Sequence, residues 1–491
     1  VTATISNTSV AELLNLNTAN TDLLTLTLAS GTATAANLIT IAGKTGSTVD
    51  ATAITGVTGT ATEVNNLIAV EGNSGDKINL DTDFTATISD TTITATLLNT
   101  TDGNVPGLLT ASDVTTITGA AADINTAYAS TGINGLGNEA ITLTDSGTLA
   151  ASVLVTLDSN TSGTIDASLI TNLTGTSADL AALYTSQGQA TGISGLGNET
   201  VTISETPNTA VADANLINAA TTGAVTATLA SGSMSELANL TGDESQVYTI
   251  TVTDSSVNAS EIITLEDKTS VALNLSNVST IVGTDAEIKA VYVLDQNGDV
   301  TGLGNEALSV SNISTITELN DLDSETTGVI TATISADKDQ IINRLTNFTR
   351  NTSDILTITA TGTSNLAEAT TILNKSANNS LVSIANITDS AATLVSSGSN
   401  TLFDRADAIR VTNNAAVTVA QAKTLSQFTN QADILYNISA NAADLYATDA
   451  QSSGLNTAIA NANTVTAVGA MTFAQAREMI GETNGVLNDT A

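Results

Sequence analysis

The chain has 491 residues, of which 41% are apolar and 2% aromatic, and it contains no Cys, His or Trp. Its 49 acidic and 12 basic residues give a formal net charge of -37 at pH 7, which disfavours binding to nucleic acid or to anionic lipid surfaces. The apolar fraction is sufficient for folding, and the scarcity of aromatic residues favours thin, layered cores of Ala, Val, Ile and Leu. The absence of Cys excludes disulfide bonds and thiol chemistry.

Two families of related segments alternate along the chain, as is typical of a repeat protein. The first family reads, in its earliest copy, GVTGTATEVNNLIAV. Its copies are Gly56–Val70, Thr116–Ser130, Asn172–Ser186 and Thr280–Leu294, and copies of the second family begin at Ala86, Ile141, Val201 and Ile250. A third motif, GLGNE, occurs at Gly135–Glu139, Gly195–Glu199 and Gly302–Glu306.

Each repeat contains a strand pattern followed by a helix pattern. Ile141-Thr-Leu143-Thr alternates apolar and polar residues, which predicts a half-buried strand. The segment from Ser177 to Tyr184 begins with a small polar residue and an acid and then spaces its apolar residues by three or four, which predicts a short capped helix. The alternation also predicts which strand residues point inward, with the threonines between them outward: Ile141, Leu143, Val201, Ile203, Ile250 and Val252.

These patterns predict a right-handed parallel β-solenoid with a short helix in each coil, similar to an α/β solenoid, with about 22–30 residues per coil. Residues 1–395 form the main predicted array. Residues 396–491 are predicted to continue the solenoid with a variant repeat, because Val417–Asn430 returns in altered form as Met471–Asn484. The two prolines, Pro106 and Pro207, fall in predicted loops, as expected for a residue that internal strands exclude.

The TGTAAD-, GLGNE- and TVAQA-type segments together resemble the repeats of very large predicted surface proteins of marine cyanobacteria and some other bacteria. Some members of that group are associated with the cell surface of swimming unicellular cyanobacteria. The resemblance covers nearly the whole chain and is weakest before Asp50 and between Ile341 and Ser399. It implies export and a structural role at the surface, and it supplies no catalytic residues.

No catalytic residues are predicted. Without His or Cys, the common nucleophile–base pairs and zinc sites are unavailable. Paired carboxylates of the glycosidase type remain open in so acidic a chain, although aromatic platforms for sugars are scarce.

The candidate metal-ligating residues are Asp295, Asn297 and Asp299, which alternate around Gly298 and resemble part of a calcium loop. A polar turn between helix and strand is the favoured interpretation of these residues, and calcium is the candidate ion if they bind a metal. Four acids that end strands in the second repeat family could similarly bind ions between coils or serve as turn residues: Asp90, Asp145, Glu205 and Asp254.

The glycines of GLGNE predict a structural turn rather than a phosphate-binding loop, since the motif lacks the P-loop Lys. They are Gly135, Gly137, Gly195, Gly197, Gly302 and Gly304. Tyr128, Tyr184 and Tyr292 occupy one position in three repeats, which favours a tyrosine ladder over the helix layer; a carbohydrate-stacking site is the alternative.

The leading functional hypothesis is a non-enzymatic structural protein of the bacterial cell surface or extracellular matrix, forming a rod, filament or surface layer. Alternatives are an adhesin or phage-fibre-like shaft that presents a binding tip, and a polysaccharide-processing β-helix enzyme. Expected partners are further copies of the chain, end to end or laterally, and cell-surface polysaccharide. No transmembrane segment is predicted. The start at Val1, without a signal-peptide pattern, suggests a piece excised from a longer protein, or a chain whose leader was removed.

Overall fold

The computed structural model describes residues 1–71, 77–313, 315–345, 353–397, 400–428, 433–446, 454–483 and 485–490. The chain divides into two compact units. The first comprises Val1–Ala230, Asn239–Ile250 and Lys268–Val271, and the second comprises Ser231–Ala238, Thr251–Asp267 and Ala272–Ala491.

Strands and short helices alternate through the first unit. Its strands are β1 (Thr2–Thr8), β2 (Leu23–Leu28), β3 (Gly31–Thr34), β4 (Val49–Ala51), β5 (Ile54–Gly59), β6 (Ile78–Leu80), β7 (Thr85–Ile88), β8 (Thr92–Thr94), β9 (Leu109–Thr110), β10 (Thr116–Gly119), β11 (Ile133–Asn134), β12 (Ala140–Leu143), β13 (Gly147–Ala150), β14 (Ile165–Asp166), β15 (Ile170–Gly175), β16 (Ile193–Ser194), β17 (Thr200–Ile203), β18 (Val225–Thr228) and β19 (Val247–Thr249). Its helices are α1 (Val10–Leu14), α2 (Ala35–Ala42), α3 (Ala61–Glu71), α4 (Ala95–Asn104), α5 (Ala121–Ala129), α6 (Ala151–Asn160), α7 (Ser177–Ser186) and α8 (Val211–Asn218).

The second unit continues the same alternation. Its helices are α9 (Met234–Leu237), α10 (Ala259–Glu266), α11 (Asp285–Asn297), α12 (Ile316–Glu325), α13 (Lys338–Arg344), α14 (Leu366–Leu373), α15 (Ala391–Ser397), α16 (Asn400–Phe403), α17 (Val419–Leu425), α18 (Ala442–Leu445), α19 (Leu455–Ala460) and α20 (Phe473–Glu482). Its strands are β20 (Ser256–Asn258), β21 (Leu273–Asn274), β22 (Thr280–Gly283), β23 (Val300–Thr301), β24 (Ala307–Val310), β25 (Ile330–Asp337), β26 (Ile355–Ser364), β27 (Val382–Asp389), β28 (Ala406–Val411), β29 (Ala416–Val417), β30 (Asp433–Leu435), β31 (Asn437–Asn441), β32 (Thr464–Val468) and β33 (Val486–Thr490).

All strand pairings among the described residues of the first unit are parallel. Its four sheets have the orders β1-β2-β4-β6, β11-β9-β7-β5-β3, β16-β14-β12-β10-β8 and β13-β15-β17-β18-β19. Neighbours in a sheet come from successive coils, with a helix between them in sequence. Strands of one sheet therefore stack in register about 4.8 Å apart. This arrangement confirms the predicted parallel α/β solenoid, whereas its right-handedness stays a prediction.

The described part of the second unit is built in the same way. Its largest sheet has the order β20-β22-β24-β25-β26-β27-β28-β30, and the two others are β21-β23 and β29-β31-β32-β33. Strands β27, β28 and β30 pair in parallel on either side of the expected boundary at residue 395. The change of repeat at that point is therefore accompanied by continuous strand pairing.

Period-2 alternation decides which strand residues form the core. Five buried isoleucines pair in register through β8, β10, β12, β14 and β16: Ile93, Ile117, Ile141, Ile165 and Ile193. The next residue in each strand belongs to an outward column that includes Thr94, Thr118 and Thr142. All six residues predicted to point inward are buried, which confirms that prediction. Of the threonines between them, Thr142 is exposed, and Thr202 and Thr251 are partly exposed.

Helix α5 shows how the short helices bury a single apolar row. In α5, the buried residues Ala121, Ile124 and Ala127 recur every three positions, and the other side chains face outward or lie at intermediate depth. The Thr94 hydroxyl accepts a hydrogen bond from the Leu97 N–H and caps α4. Copies of the first sequence family contain α3, α5, α7 and α11, and copies of the second contain α4, α6, α8 and α10. The long sequence repeat therefore corresponds to two coils.

Candidate functional site

The candidate calcium residues lie at the end of helix α11. Asp295 and Asn297 belong to its last turn, and Gly298 follows with φ of 89°. The Gly298 N–H donates to the Asp295 carbonyl and the Asp299 N–H donates to the Leu294 carbonyl, which closes the helix as a left-handed glycine cap. Burial, and then the nearby charge of Glu306, raises the pKa of Asp295. The polar turn is thus present, and calcium binding there stays a prediction.

The acids that end strands in the second repeat family have a specific structural role. The Asp145 carboxylate accepts a hydrogen bond of 2.7 Å from the backbone N–H of Ala121, the first residue of α5, which lies 24 residues earlier in the preceding coil. A carboxylate at a helix N-terminus satisfies an otherwise unpaired N–H and interacts favourably with the helix dipole. The same contact is made by Asp90 to Ala61, by Glu205 to Ser177, by Asp254 to Met234 and by Asp389 to Leu366.

Each of these acids lies at the end of a strand or just after it and caps the helix of the preceding coil, so the bond holds adjacent coils together. The sequence pattern predicts turn residues or ion ligands at four of these acids, whereas the helix that each one caps is visible only in the structure. At α11 the backbone supplies the equivalent bond, because the Asp285 N–H donates to the Asn312 carbonyl.

The GLGNE motif folds around its own glutamate. The Glu139 side chain is 0% exposed, and its carboxylate accepts hydrogen bonds from the backbone N–H groups of Gly137 and Asn138. The Tyr128 hydroxyl, at the end of α5, donates to the same carboxylate at 2.7 Å. The three donors satisfy the oxygen atoms of a buried carboxyl group that has no cationic partner among these contacts.

The two other copies repeat this arrangement. Glu199 and Glu306 are also buried, and each accepts hydrogen bonds from the backbone of its own motif and from a tyrosine hydroxyl, Tyr184 or Tyr292. Burial is the main factor that raises the pKa of all three tyrosines, and the facing glutamate raises it further. The phenols therefore stay protonated and remain donors at neutral pH.

The glutamate also connects its coil to the following one through the backbone. The Thr161 hydroxyl donates to the Glu139 carbonyl at 2.7 Å, and the Ser162 N–H donates to the Gly137 carbonyl at 2.9 Å. Thr221 and Thr326 make the equivalent bonds to Glu199 and Glu306. The turn predicted from the glycines is thus present, with a buried Glu–Tyr pair at its centre.

The repeat positions of the tyrosines predict a ladder over the helix layer, but not the pairing of each tyrosine with a glutamate that the structure shows. The sequence does contain a signal for this Glu–Tyr pairing. The three first-family copies that carry Tyr are each followed by GLGNE, whereas the copy Gly56–Val70 has neither the tyrosine nor a following motif.

Lysines bind helix C-termini across coils. The Lys375 side chain is 9% exposed, and its ammonium group donates to the Leu345 carbonyl just after α13, at 2.5 Å. Lys44 makes the equivalent contact with the Leu16 carbonyl, just beyond α1. A cation at this position satisfies a free carbonyl and complements the helix dipole. Burial lowers the pKa of Lys375.

Comparison of the chain with protein-family models, with curated proteins and with solved structures found no match. The resemblance to bacterial surface repeats therefore rests on the quoted sequence motifs alone. Among the described residues, no helix combines the length and the apolar character that crossing a membrane requires.

These contacts define what the recurring polar residues do chemically. Asp145, Glu139, Tyr128 and Lys375 each donate to or accept from backbone or side-chain groups within the fold. A substrate would have to displace Tyr128 and two backbone donors to reach the Glu139 carboxylate. The motifs that repeat most clearly therefore stabilise the turn and the stacking of coils.

Proposed function

We propose that this chain is a non-enzymatic structural element of a bacterial cell surface or extracellular matrix, in which it forms rods, filaments or a layer. The proposal is supported chiefly by one observation: the polar residues that recur between repeats bind to groups in adjacent coils. Asp145 caps a helix of the preceding coil, and the Glu139 turn accepts hydrogen bonds from the following one. Such residues strengthen a stack of coils and leave its outer surface free for assembly or coating.

Self-association is the second part of the proposal. Helix α20 exposes two apolar side chains seven residues apart, with Phe473 86% exposed and Ile480 63% exposed. The same motif occurs in α17, where Val419 takes the place of Phe473 and is partly buried. Seven residues correspond to about two helical turns, so both side chains lie on one face of α20 and form a small apolar patch that contact with another protein surface would cover. The occupant that we propose is a second copy of this chain, stacked so that it covers α20.

The net negative charge of the chain opposes lateral assembly. Rods with a net charge of -37 repel one another at low ionic strength. Divalent cations, or contacts through the last third of the chain where most basic residues lie, would reduce this repulsion. We expect lateral contacts to increase with calcium concentration and end-to-end contacts to be less sensitive to it. Export, a surface location and binding of cell-surface polysaccharide belong to the same proposal.

Electron microscopy of the purified chain, combined with sedimentation velocity across a concentration series with calcium or with chelator, tests this function. Rods, filaments or sheets that grow with concentration are expected. Phe473→Ser should weaken association, whereas Val293→Ser, which replaces a 47% exposed apolar residue on α11, should not. A monomer whose sedimentation is unchanged by concentration and by calcium contradicts the assembly proposal.

An adhesin or fibre shaft that presents a separate binding tip is the second candidate. The outward threonine columns, such as Thr94, Thr118 and Thr142, suit a shaft as well as an assembling rod. The sedimentation series distinguishes the two candidates, because a shaft stays monomeric at all concentrations.

A further inference from the structure

A groove crosses three successive strands of the second unit. It has a volume of about 510 Å³ and lies over the first residues of β26, the turn before β27 and the residues that lead into β28. Its polar lining consists mainly of Thr357, Thr359, Ser383, Asp404, Arg405 and Asp407. The volume is within the range of small-ligand sites.

Arg405 has donor capacity that the fold leaves unused. Its Nη1 donates to the Ser380 carbonyl at 3.0 Å, whereas its Nε is buried and has no hydrogen-bond partner within the described part of the chain. The buried Nε is out of reach of a ligand at the surface, but Arg405 is partly exposed and its guanidinium carries five N–H donors, of which one binds Ser380. The backbone of Arg405 is fixed because the Ile384 N–H donates to its carbonyl at 2.7 Å, and the side chain is oriented by its bond to Ser380.

The charges of the groove select the class of ligand. Two exposed carboxylates, Asp404 and Asp407, lie beside one guanidinium, so the lining has a formal charge of -1 and disfavours an anion. Hydroxyl groups of a neutral ligand can donate to the carboxylates and accept from the guanidinium.

The strand register also aligns hydroxyl groups of the protein along the groove. Thr359 and Ser383 are paired neighbours on β26 and β27, and both are partly exposed. Because adjacent strands lie about 4.8 Å apart, these hydroxyls form a row perpendicular to the strands, towards Arg405. A ligand that follows the row would present hydroxyl groups at successive positions, as a saccharide chain does.

We propose that this groove binds a segment of a neutral polysaccharide, with Arg405 donating to a sugar oxygen and Asp404 and Asp407 accepting from sugar hydroxyls. The inference rests on the proposed surface role and deepens it by assigning a place and a ligand class to the polysaccharide contact. It does not depend on self-association.

Affinity electrophoresis tests the site, with the full chain run in gels containing dextran, galactomannan or xylan, and in gels containing alginate as the polyanionic comparison. We expect at least one neutral polysaccharide to slow the wild-type chain and alginate to have less effect. Arg405→Gln should weaken that binding roughly tenfold, the loss expected for one hydrogen bond to a charged group. Arg410→Gln is the matched control, because it removes the same charge from an exposed position on β28 outside the groove.

Asp407→Asn provides a second variant if Arg405→Gln disturbs folding, since Asp407 is exposed and its loss leaves the Arg405–Ser380 bond in place. It should also weaken binding. The proposal is overturned if no neutral polysaccharide slows the wild-type chain, if only alginate does, or if the Arg405 and Arg410 variants bind equally. Assembly is measured separately by sedimentation, so failure of the groove and failure of the proposed function give different results.

Discussion

The carboxylate of Asp145 accepts a hydrogen bond from the backbone N–H of Ala121, 24 residues earlier, and so caps the helix of the preceding coil. We expect Asp145→Ala to lower the free energy of unfolding by about 1 kcal/mol, as the loss of a helix cap does. Ser146→Ala is the control, because Ser146 is the exposed neighbour. Urea denaturation measures both, and an equal effect of the two substitutions would show that the cap contributes nothing.

Removal of one tyrosine hydroxyl tests the buried Glu–Tyr pair. Tyr128→Phe takes a donor from the Glu139 carboxylate, which is 0% exposed, and should cost ~1–3 kcal/mol of stability. Tyr248→Phe is the control, because the Tyr248 hydroxyl is buried without a partner among the described residues, and its removal should be neutral or stabilising. Equal losses for both variants would refute a role for the pair.

Two glycines with the same φ angle allow the cost of backbone strain to be distinguished from the cost of steric crowding. Gly135 and Gly147 both have φ of 87°, where an Ala costs about 1–2 kcal/mol. A Cβ on Gly135 would lie 2.8 Å from the backbone N of Ser112, whereas one on Gly147 would meet no atom within 4 Å. Thermal unfolding should therefore show a larger loss for Gly135→Ala than for Gly147→Ala. A Gly135→Ala loss no larger than that of Gly147→Ala would mean that the GLGNE turn can move away from the neighbouring coil.

The buried Asp354 makes folding stability fall as pH rises. Its side chain is 2% exposed, and burial raises its pKa above the unfolded value, with the charge of Asp323 adding to the effect. As pH rises, the unfolded carboxyl loses its proton first, so this group lowers folding stability between its unfolded and its folded pKa.

Asp354→Asn should remove this loss, since the amide oxygen can still accept from the Ile330 N–H. Relative to wild type, the variant should gain stability as pH rises from the acidic range to neutral. Urea midpoints measured across that range test the difference, with Asp407→Asn as an exposed control. A difference that does not change with pH would contradict the prediction.

Calcium binding at the end of α11 is the alternative to a simple polar turn, and titration calorimetry can distinguish the two. Asp295→Asn combined with Asp299→Asn should remove one binding event, because carboxylate oxygens are the preferred ligands of calcium. The control pair Asp113→Asn and Asp444→Asn removes the same charge from exposed positions and should leave that event intact. Identical titrations for the two pairs would favour the polar-turn interpretation.

The sequence by itself determined the repeat, the alternation of strand and helix, and the inward face of each strand. These features are local: a period of two fixes which side of a strand is apolar, as at Ile141 and Leu143, and a period near 3.6 does the same for a helix. The positions of Pro106 and Pro207 in loops follow from the missing N–H of proline.

Only the tertiary structure decided the partners of the polar residues. Asp145 and Ala121 are 24 residues apart, and Tyr128 reaches Glu139 only because the GLGNE turn folds back over the end of α5. The groove at Arg405 likewise combines residues of three coils. Sequence spacing shows which residues recur, but a hydrogen bond between coils depends on the register and rotation with which one coil stacks on the next. Those are properties of the packed core and are not encoded in any single repeat.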